Sequence, residues 1–129
     1  MRDFQRPVAL LQGERPNIRI VGFEPSSSPV YSGGNQGGHK LIGIAPGFVT
    51  PNFQRSAQRC DEIVLVSDDD AYEWTRRIAR TEGLLVGVTS GAAAKVACDL
   101  AKRPEMAEKT IVCIFYDTGE RYLSTEGLF

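Results

Sequence analysis

The sequence has almost no net charge. Its 15 Lys and Arg face 16 Asp and Glu, for a formal charge of -1. That balance leaves no basic footprint for a phosphate backbone, so nucleic acid is not an expected partner. Long hydrophobic runs are missing too: nothing approaches the roughly 20 apolar residues of a membrane helix, so no membrane partner is expected. The first residues, MRDFQRPVALLQGERPN, do not read as a secretory signal, because Arg, Asp and Gln interrupt them. Cysteine and histidine are scarce. Cys60, Cys98 and Cys113 stand far apart with no CxxC pair, and His39 is the single histidine. A structural zinc site needs about four ligands at short spacings, so no metal site is expected. Isolated cysteines in apolar company are expected to be small buried hydrophobes of a reducing compartment, which points to the cytoplasm.

What is present is a chain of 129 residues, 42% hydrophobic and 24% charged. That suits one small globular domain or a part of a larger one, and excludes intrinsic disorder. Three short apolar runs read as strands covered on both faces: 18–23 (IRIVGF), 63–66 (IVLV) and 110–115 (TIVCIF). A fourth run, 84–88 (LLVGV), is weakened by Gly87.

Two helices are expected between these runs. The first is capped by the Ser67 hydroxyl, with Asp68, Asp69 and Asp70 opposing the positive end of its dipole. Ala71, Trp74 or Thr75, Ile78 and Ala79 give it an apolar stripe, and Gly83 stops it. Arg76, Arg77 and Arg80 read as its solvated face. The second starts near Ser90-Gly91 and runs to about Lys102, before Pro104. Between Pro25 and Pro51 lie six of the thirteen glycines, the mark of a long loop. The alternation predicts an α/β fold: a three-layer, open, mostly parallel sheet with helices on both faces.

Chemistry has three places to sit. Residues 87–93 (GVTSGAA) turn from a strand directly into a helix. The hydroxyls of Thr89 and Ser90 there can cap the helix or face a ligand beyond the strand end. Residues 117–122 (DTGERY) follow the last strand, so Asp117 and Thr118 share the same crevice, or else form a plain turn with a surface Glu-Arg pair. Residues 32–40 (SGGNQGGHK) hold His39, but no helix follows to make a phosphate cradle, and the segment reads as a flexible loop. None of the three is GxGxxG, a Walker loop or GxSxG, so nucleotide and hydrolase chemistry have no motif support.

Taken together, VGFEP (21–25), HKLIGIAPGFVTPNF (39–53), TEGLLVGVTSGAA (81–93) and DTGERYLST (117–125) resemble the C-terminal part of the cysteine synthases. These O-acetylserine sulfhydrylases are pyridoxal-phosphate (PLP) enzymes of the tryptophan-synthase-β-like family. The resemblance runs from about Asn17 to the C-terminus, so residues 17–129 are expected to be a cysteine-synthase-like segment and 1–16 an atypical N-terminal extension.

The resemblance implies an incomplete part of the PLP fold type II architecture. It implies β-replacement of O-acetylserine by sulfide, with PLP as electron sink and a small amino-acid substrate. It places Thr89 at the hydroxyl position that meets the PLP ring nitrogen, a neutral partner that does not force that nitrogen to be protonated. Ser90, Asp117 and Thr118 join Thr89 as expected cofactor-binding residues. The family's GIGAGF loop reads GIAPGF here, which makes Gly43, Ile44 and Ala45 the expected substrate-side residues, with Ala45 in place of a glycine and Pro46 of an alanine. The family's leucine-proline before Asp117 becomes Phe115-Tyr116.

The family's Schiff-base lysine and phosphate loop have no counterpart. Lys40, Lys95, Lys102 and Lys109 are all the lysines, and none matches, so no catalytic residue is expected. A chain of this kind is expected to bind PLP poorly by itself and to be inactive alone. It is expected to expose a face that favours self-association or an N-terminal partner chain. The alternative is a non-catalytic interaction module, or half of a split enzyme.

Overall fold

The computed structural model describes residues 5–129, with side chains from Val8 onward. Of the expected extension over 1–16, residues 1–4 lie outside the described part. The order of elements is helix α1 (Gln5–Glu14), strand β1 (Val21–Pro25), helix α2 (Pro51–Ser56), strand β2 (Glu62–Val66), helix α3 (Asp68–Glu82) and helix α4 (Val88–Ala101).

β1 and β2 pair in parallel, from Val21 opposite Glu62 to Pro25 opposite Val66. The expected 18–23 strand is therefore shifted toward its C-terminal end. Asp61 holds the lead-in instead: its carboxylate accepts from the Ile20 amide at 2.7 Å and its own amide donates to the Ile20 carbonyl at 2.8 Å. The chain is an incomplete α/β fold with a parallel sheet, two strands wide among the described residues.

α3 follows its sequence signals closely. The Asp70 amide donates to Ser67 Oγ at 3.1 Å, and Ser67 Oγ donates to the Asp70 carboxylate at 2.8 Å. Gly83 ends the helix with φ 69°, in the left-handed region. Ala71, Tyr72, Thr75 and Ile78 are buried, so Thr75 rather than Trp74 completes the stripe. α3 packs on α4 at Gly91, where a Cβ would fall 2.1 Å from Thr75 Oγ1 and 2.6 Å from the Ala71 carbonyl. Above this contact sits one apolar cluster of Leu41, Val66, Ala71, Tyr72, Val88, Ala92, Val96, Leu100 and Leu128. Each buried valine or leucine there contributes about 1.5–3 kcal/mol by burial.

Several expectations are corrected. Residues 110–115 form no strand, and no ladder pairs them to another described strand. Ile111 packs on the core, while Val112 and Ile114 are 83% and 69% exposed. The run has the composition of a strand covered on both faces, and nothing described covers the second face. Residues 84–88 form no strand; Val86 makes one antiparallel bridge to Thr118. α4 starts at Val88 rather than near Ser90, with Gly87 as N-cap and no side-chain cap.

Cys98 and Cys113 are exposed and Cys60 half-buried, so the buried-hydrophobe reading fails for the first two. Cys98 lies on the outer side of α4 and Cys113 in the uncovered 110–115 run. Arg76 is not simply solvated: its guanidinium donates to the Gly127 carbonyl at 2.7 Å and ties down the C-terminus. Arg77 stacks over the Trp74 ring, 4.7 Å from its centroid. Among the described residues no helix is long and apolar enough to cross a membrane.

Candidate functional site

The N-terminus of α4 meets the segment after residues 110–115 at one carboxylate. The Gly87 amide donates to the Asp117 carbonyl at 3.2 Å, and the Gly119 amide to the Leu85 carbonyl at 2.9 Å. These bonds lay 117–119 across the first turn of α4. The Asp117 carboxylate then accepts from Ser90 Oγ at 2.5 Å, from the Tyr122 hydroxyl at 2.6 Å and from Thr89 Oγ1 at 3.4 Å. Such an arrangement needs a glycine beneath it: a Cβ on Gly87 would lie 2.0 Å from Asp117 Oδ2 and 2.6 Å from Tyr122 Cε2.

The carboxylate sits where unpaired N–H groups and the dipole of α4 favour negative charge. Three hydroxyls donate to it, because a carboxylate only accepts. Burial, donation to Asp117 and the Asp117 charge push the Tyr122 phenol up to about 12. Tyr116 is also pushed up to about 12, by burial first and the Asp117 charge among the lesser causes. Half of Tyr116 is exposed, yet its hydroxyl donates to the carbonyl of buried Thr89 at 3.3 Å, so the titrating end is the covered one.

Of the expected cofactor residues, Thr89, Ser90 and Asp117 come together through hydrogen bonds. Thr118 adjoins them through its bridge to Val86. The expected substrate-side loop is Gly43, Ile44 and Ala45. Among the described residues no hydrogen bond joins it to Thr89 or Asp117. Ile44 packs on the core cluster, and Ala45 is buried with φ 49°, a left-handed conformation that costs a non-glycine residue about 1 kcal/mol.

His39 Nε2 donates to the Ala45 carbonyl at 2.9 Å and its Nδ1 is buried without a partner. The histidine is therefore a brace for this strained turn. Its glycine-rich segment is held by Ser27 Oγ, which donates to the Gly38 carbonyl at 2.9 Å, and by the Lys40 amide, which donates to Asp68 at 2.9 Å. Sequence reasoning missed Gly87 and Tyr122 as parts of the site. Gly87 carried a signal, a glycine at the join of an apolar run and a helix; Tyr122 carried none beyond its place in the GERY motif.

The pyridoxal-phosphate dependent enzyme model matches residues 7–117. The chain belongs to this family. It is 50% identical over 111 residues to a probable cysteine synthase of Bacillus subtilis, covering 86% of this chain and 35% of that protein. It is 45% identical over 117 residues to a cysteine synthase of Staphylococcus aureus, covering 90% of this chain and 36% of that one.

Among solved structures, cysteine synthase from Entamoeba histolytica superposes with a TM-score of 0.89 at 34% identity, over 95% of this chain and 35% of that one. An O-acetylserine dependent cystathionine beta-synthase from Helicobacter pylori gives 0.82 at 36% identity, over 95% and 38%. This PLP-family chain thus spans little more than a third of the relatives it matches.

The residues present fit one edge of the cofactor. Thr89 offers a buried, neutral hydroxyl held only by a long bond to Asp117. That chemistry suits a pyridine nitrogen. A phosphate does not suit the same place, because the Asp117 carboxylate already lies over the helix N-terminus.

Proposed function

We propose that this chain is the ring-edge portion of a cysteine-synthase-like enzyme, which catalyses β-replacement on an amino-acid substrate only when the remaining portion is supplied. When bound, PLP supplies an electron sink for chemistry at the α-carbon of the substrate. Thr89 would turn its hydroxyl proton from the long bond with Asp117 to the ring nitrogen, and Asp117 would fix the rotors of Ser90 and Tyr122 beside it. Gly43, Ile44 and Ala45 would line the substrate side, narrowed relative to a glycine loop by the Ala45 methyl and the fixed φ of Pro46.

One observation carries the reading that the chain is inactive alone: every lysine is engaged or placed away from Thr89. Lys40 Nζ lies over the Tyr72 ring at 5.5 Å. Lys95 and Lys102 both pair with Asp99. Lys109 lines a groove of about 460 Å³ with Arg15, Pro16, Asn17, Ile18 and Thr110. The need for a second portion is supported by the unpaired residues 110–115 and the open edge of β1.

The test is to mix the chain with PLP and record the Schiff-base absorbance, then trap adducts with borohydride and map them. No stable band and only scattered surface adducts are expected. A stable band with one lysine labelled would overturn the reading. Adding the separately expressed N-terminal two thirds of a related cysteine synthase should restore PLP binding and O-acetylserine-dependent consumption of sulfide. Failure there would favour a non-catalytic interaction module.

A further inference from the structure

We propose that Tyr122 is a positioning residue: its hydroxyl takes Asp117 Oδ2 and so leaves the Thr89 proton free for an uncharged ring nitrogen. The role toward that nitrogen rests on the PLP reading of Thr89. Three hydroxyls meet one carboxylate, but they do not share it equally. Ser90 Oγ donates to Oδ1 at 2.5 Å. The Tyr122 hydroxyl donates to Oδ2 at 2.6 Å, and Thr89 Oγ1 reaches the same Oδ2 only at 3.4 Å. A hydroxyl bond to a carboxylate ordinarily spans about 2.5–2.7 Å. Ser90 and Tyr122 therefore hold full bonds, one on each oxygen. Thr89 holds a remnant, on the oxygen that Tyr122 has filled.

The backbone sets this division. The 3-10 turn Gly119–Tyr122 is tied at both ends. The Gly119 amide donates to the Leu85 carbonyl at 2.9 Å, and the Thr125 amide donates to the Tyr122 carbonyl at 2.9 Å. The Tyr122 ring packs on the core cluster and lies against Gly87, where a Cβ would meet its Cε2 at 2.6 Å. Thr89 is fixed as well. It sits in the first turn of α4, and its carbonyl accepts the Tyr116 hydroxyl at 3.3 Å. The phenol of Tyr122 is pushed up to about 12, so it keeps its proton and remains the donor at neutral pH.

Thr89 is 3% exposed, and among the described residues its Oγ1 has no hydrogen-bond partner besides Asp117. A buried hydroxyl held this weakly loses little when it turns to a new acceptor. One in a full bond to a carboxylate would lose that bond first, which weakens binding at the new acceptor roughly tenfold. Tyr122 thus acts on the cofactor edge through Asp117 and Thr89, without touching the ring.

The first test uses the chain alone, without PLP. Tyr122→Phe keeps the ring and its packing but removes the donor on Oδ2. In a crystal structure of this variant, Thr89 Oγ1 should close on Asp117 Oδ2 to below about 3 Å. By NMR, the Thr89 hydroxyl proton should exchange with water several-fold more slowly. Ser90→Ala vacates the other oxygen, so the Thr89 distance and exchange should stay as they are. A tyrosine that served only as packing would move neither readout. An unmoved Thr89 in Tyr122→Phe, or the same contraction in Ser90→Ala, would overturn the proposal.

The second test uses the chain joined by the N-terminal two thirds of a related cysteine synthase. The PLP dissociation constant, read from cofactor fluorescence, should rise roughly tenfold in Tyr122→Phe. An unchanged constant beside a contracted Thr89 bond would overturn the role toward the ring nitrogen. If the unaltered assembly bound no PLP, the reading of Thr89 itself would fail, while the lone chain would still decide how Asp117 is divided.

Discussion

Ser90 gives its hydroxyl proton to Asp117 at 2.5 Å, across 27 residues of sequence. The bond joins the first turn of α4 to the segment after residues 110–115, and the same carboxylate takes the Tyr122 hydroxyl at 2.6 Å. Asp117→Asn removes the charge and half of the acceptor capacity. The Tyr122 phenol should then titrate below its present value of about 12, part of the way back toward its ordinary 10. Burial remains, so the return is incomplete. Ultraviolet titration of the variant, with Tyr122→Phe subtracted, measures it; an unmoved Tyr122 would remove Asp117 as the cause.

Tyr116 and Tyr122 also make an alkaline prediction. Both phenols are raised from 10 to about 12 in the folded chain. A raised folded-state pKa gives stability that is fully present below the unfolded value and lost as pH climbs through the folded one. Stability should therefore decline between pH 10 and about 12. Urea midpoints across that range should fall less steeply in Tyr122→Phe than in the unaltered chain.

Gly87→Ala tests the closeness of Asp117. The backbone there has φ -78° and ψ 169°, which alanine adopts freely, so the cost comes from space alone. A Cβ 2.0 Å from Asp117 Oδ2 and 2.3 Å from its Cγ forces the carboxylate off the helix end. Overpacking of this kind costs about 1–3 kcal/mol. The urea midpoint should drop accordingly, and the Tyr122 titration should shift as it does in Asp117→Asn.

Glu24 is 1% exposed and accepts from the Tyr31 amide at 2.8 Å, the Ser32 amide at 2.8 Å and Ser32 Oγ at 2.5 Å. Glu24→Gln turns an NH₂ group toward donors. One buried amide then loses its acceptor, at a cost of about 1–3 kcal/mol. Hydrogen exchange at Tyr31 and Ser32 should quicken along with the loss in the urea midpoint; unchanged exchange would show that the carboxylate does not hold this turn.

Val112→Asp and Ile114→Asp should behave oddly for strand residues. At 83% and 69% exposure they lose little burial, so stability should move by no more than about 0.5 kcal/mol. Self-association, read by sedimentation, should weaken. A loss of several kcal/mol would mean that this side of the segment is covered in solution.

Much of the fold was legible because its signals are local. Ser67, the three aspartates and Gly83 bound α3 within one stretch of chain, and the β-branched runs mark β1 and β2 to within a few residues. What was not legible depends on distant partners. Thr89 and Ser90 read as caps for α4, but Asp117 accepts both hydroxyls, and the helix begins at Val88, after Gly87, without a side-chain cap. The TIVCIF run has the composition of a strand with both faces covered, and local sequence carries no sign that one face lacks its cover. The left-handed turn at Ala45 was visible only as a departure from a glycine motif, while its brace, the His39 ring, lies six residues away.

The carboxylate over α4 has an electrostatic consequence. A helix N-terminus ordinarily invites anions from solution, but here the chain has supplied its own counter-ion. The end of α4 is self-quenched: an incoming phosphate or carboxylate would meet repulsion from Asp117 before it met the helix dipole, whereas an uncharged ring nitrogen would pay no such penalty. The same aspartate that closes the fold thus filters what can approach it by charge.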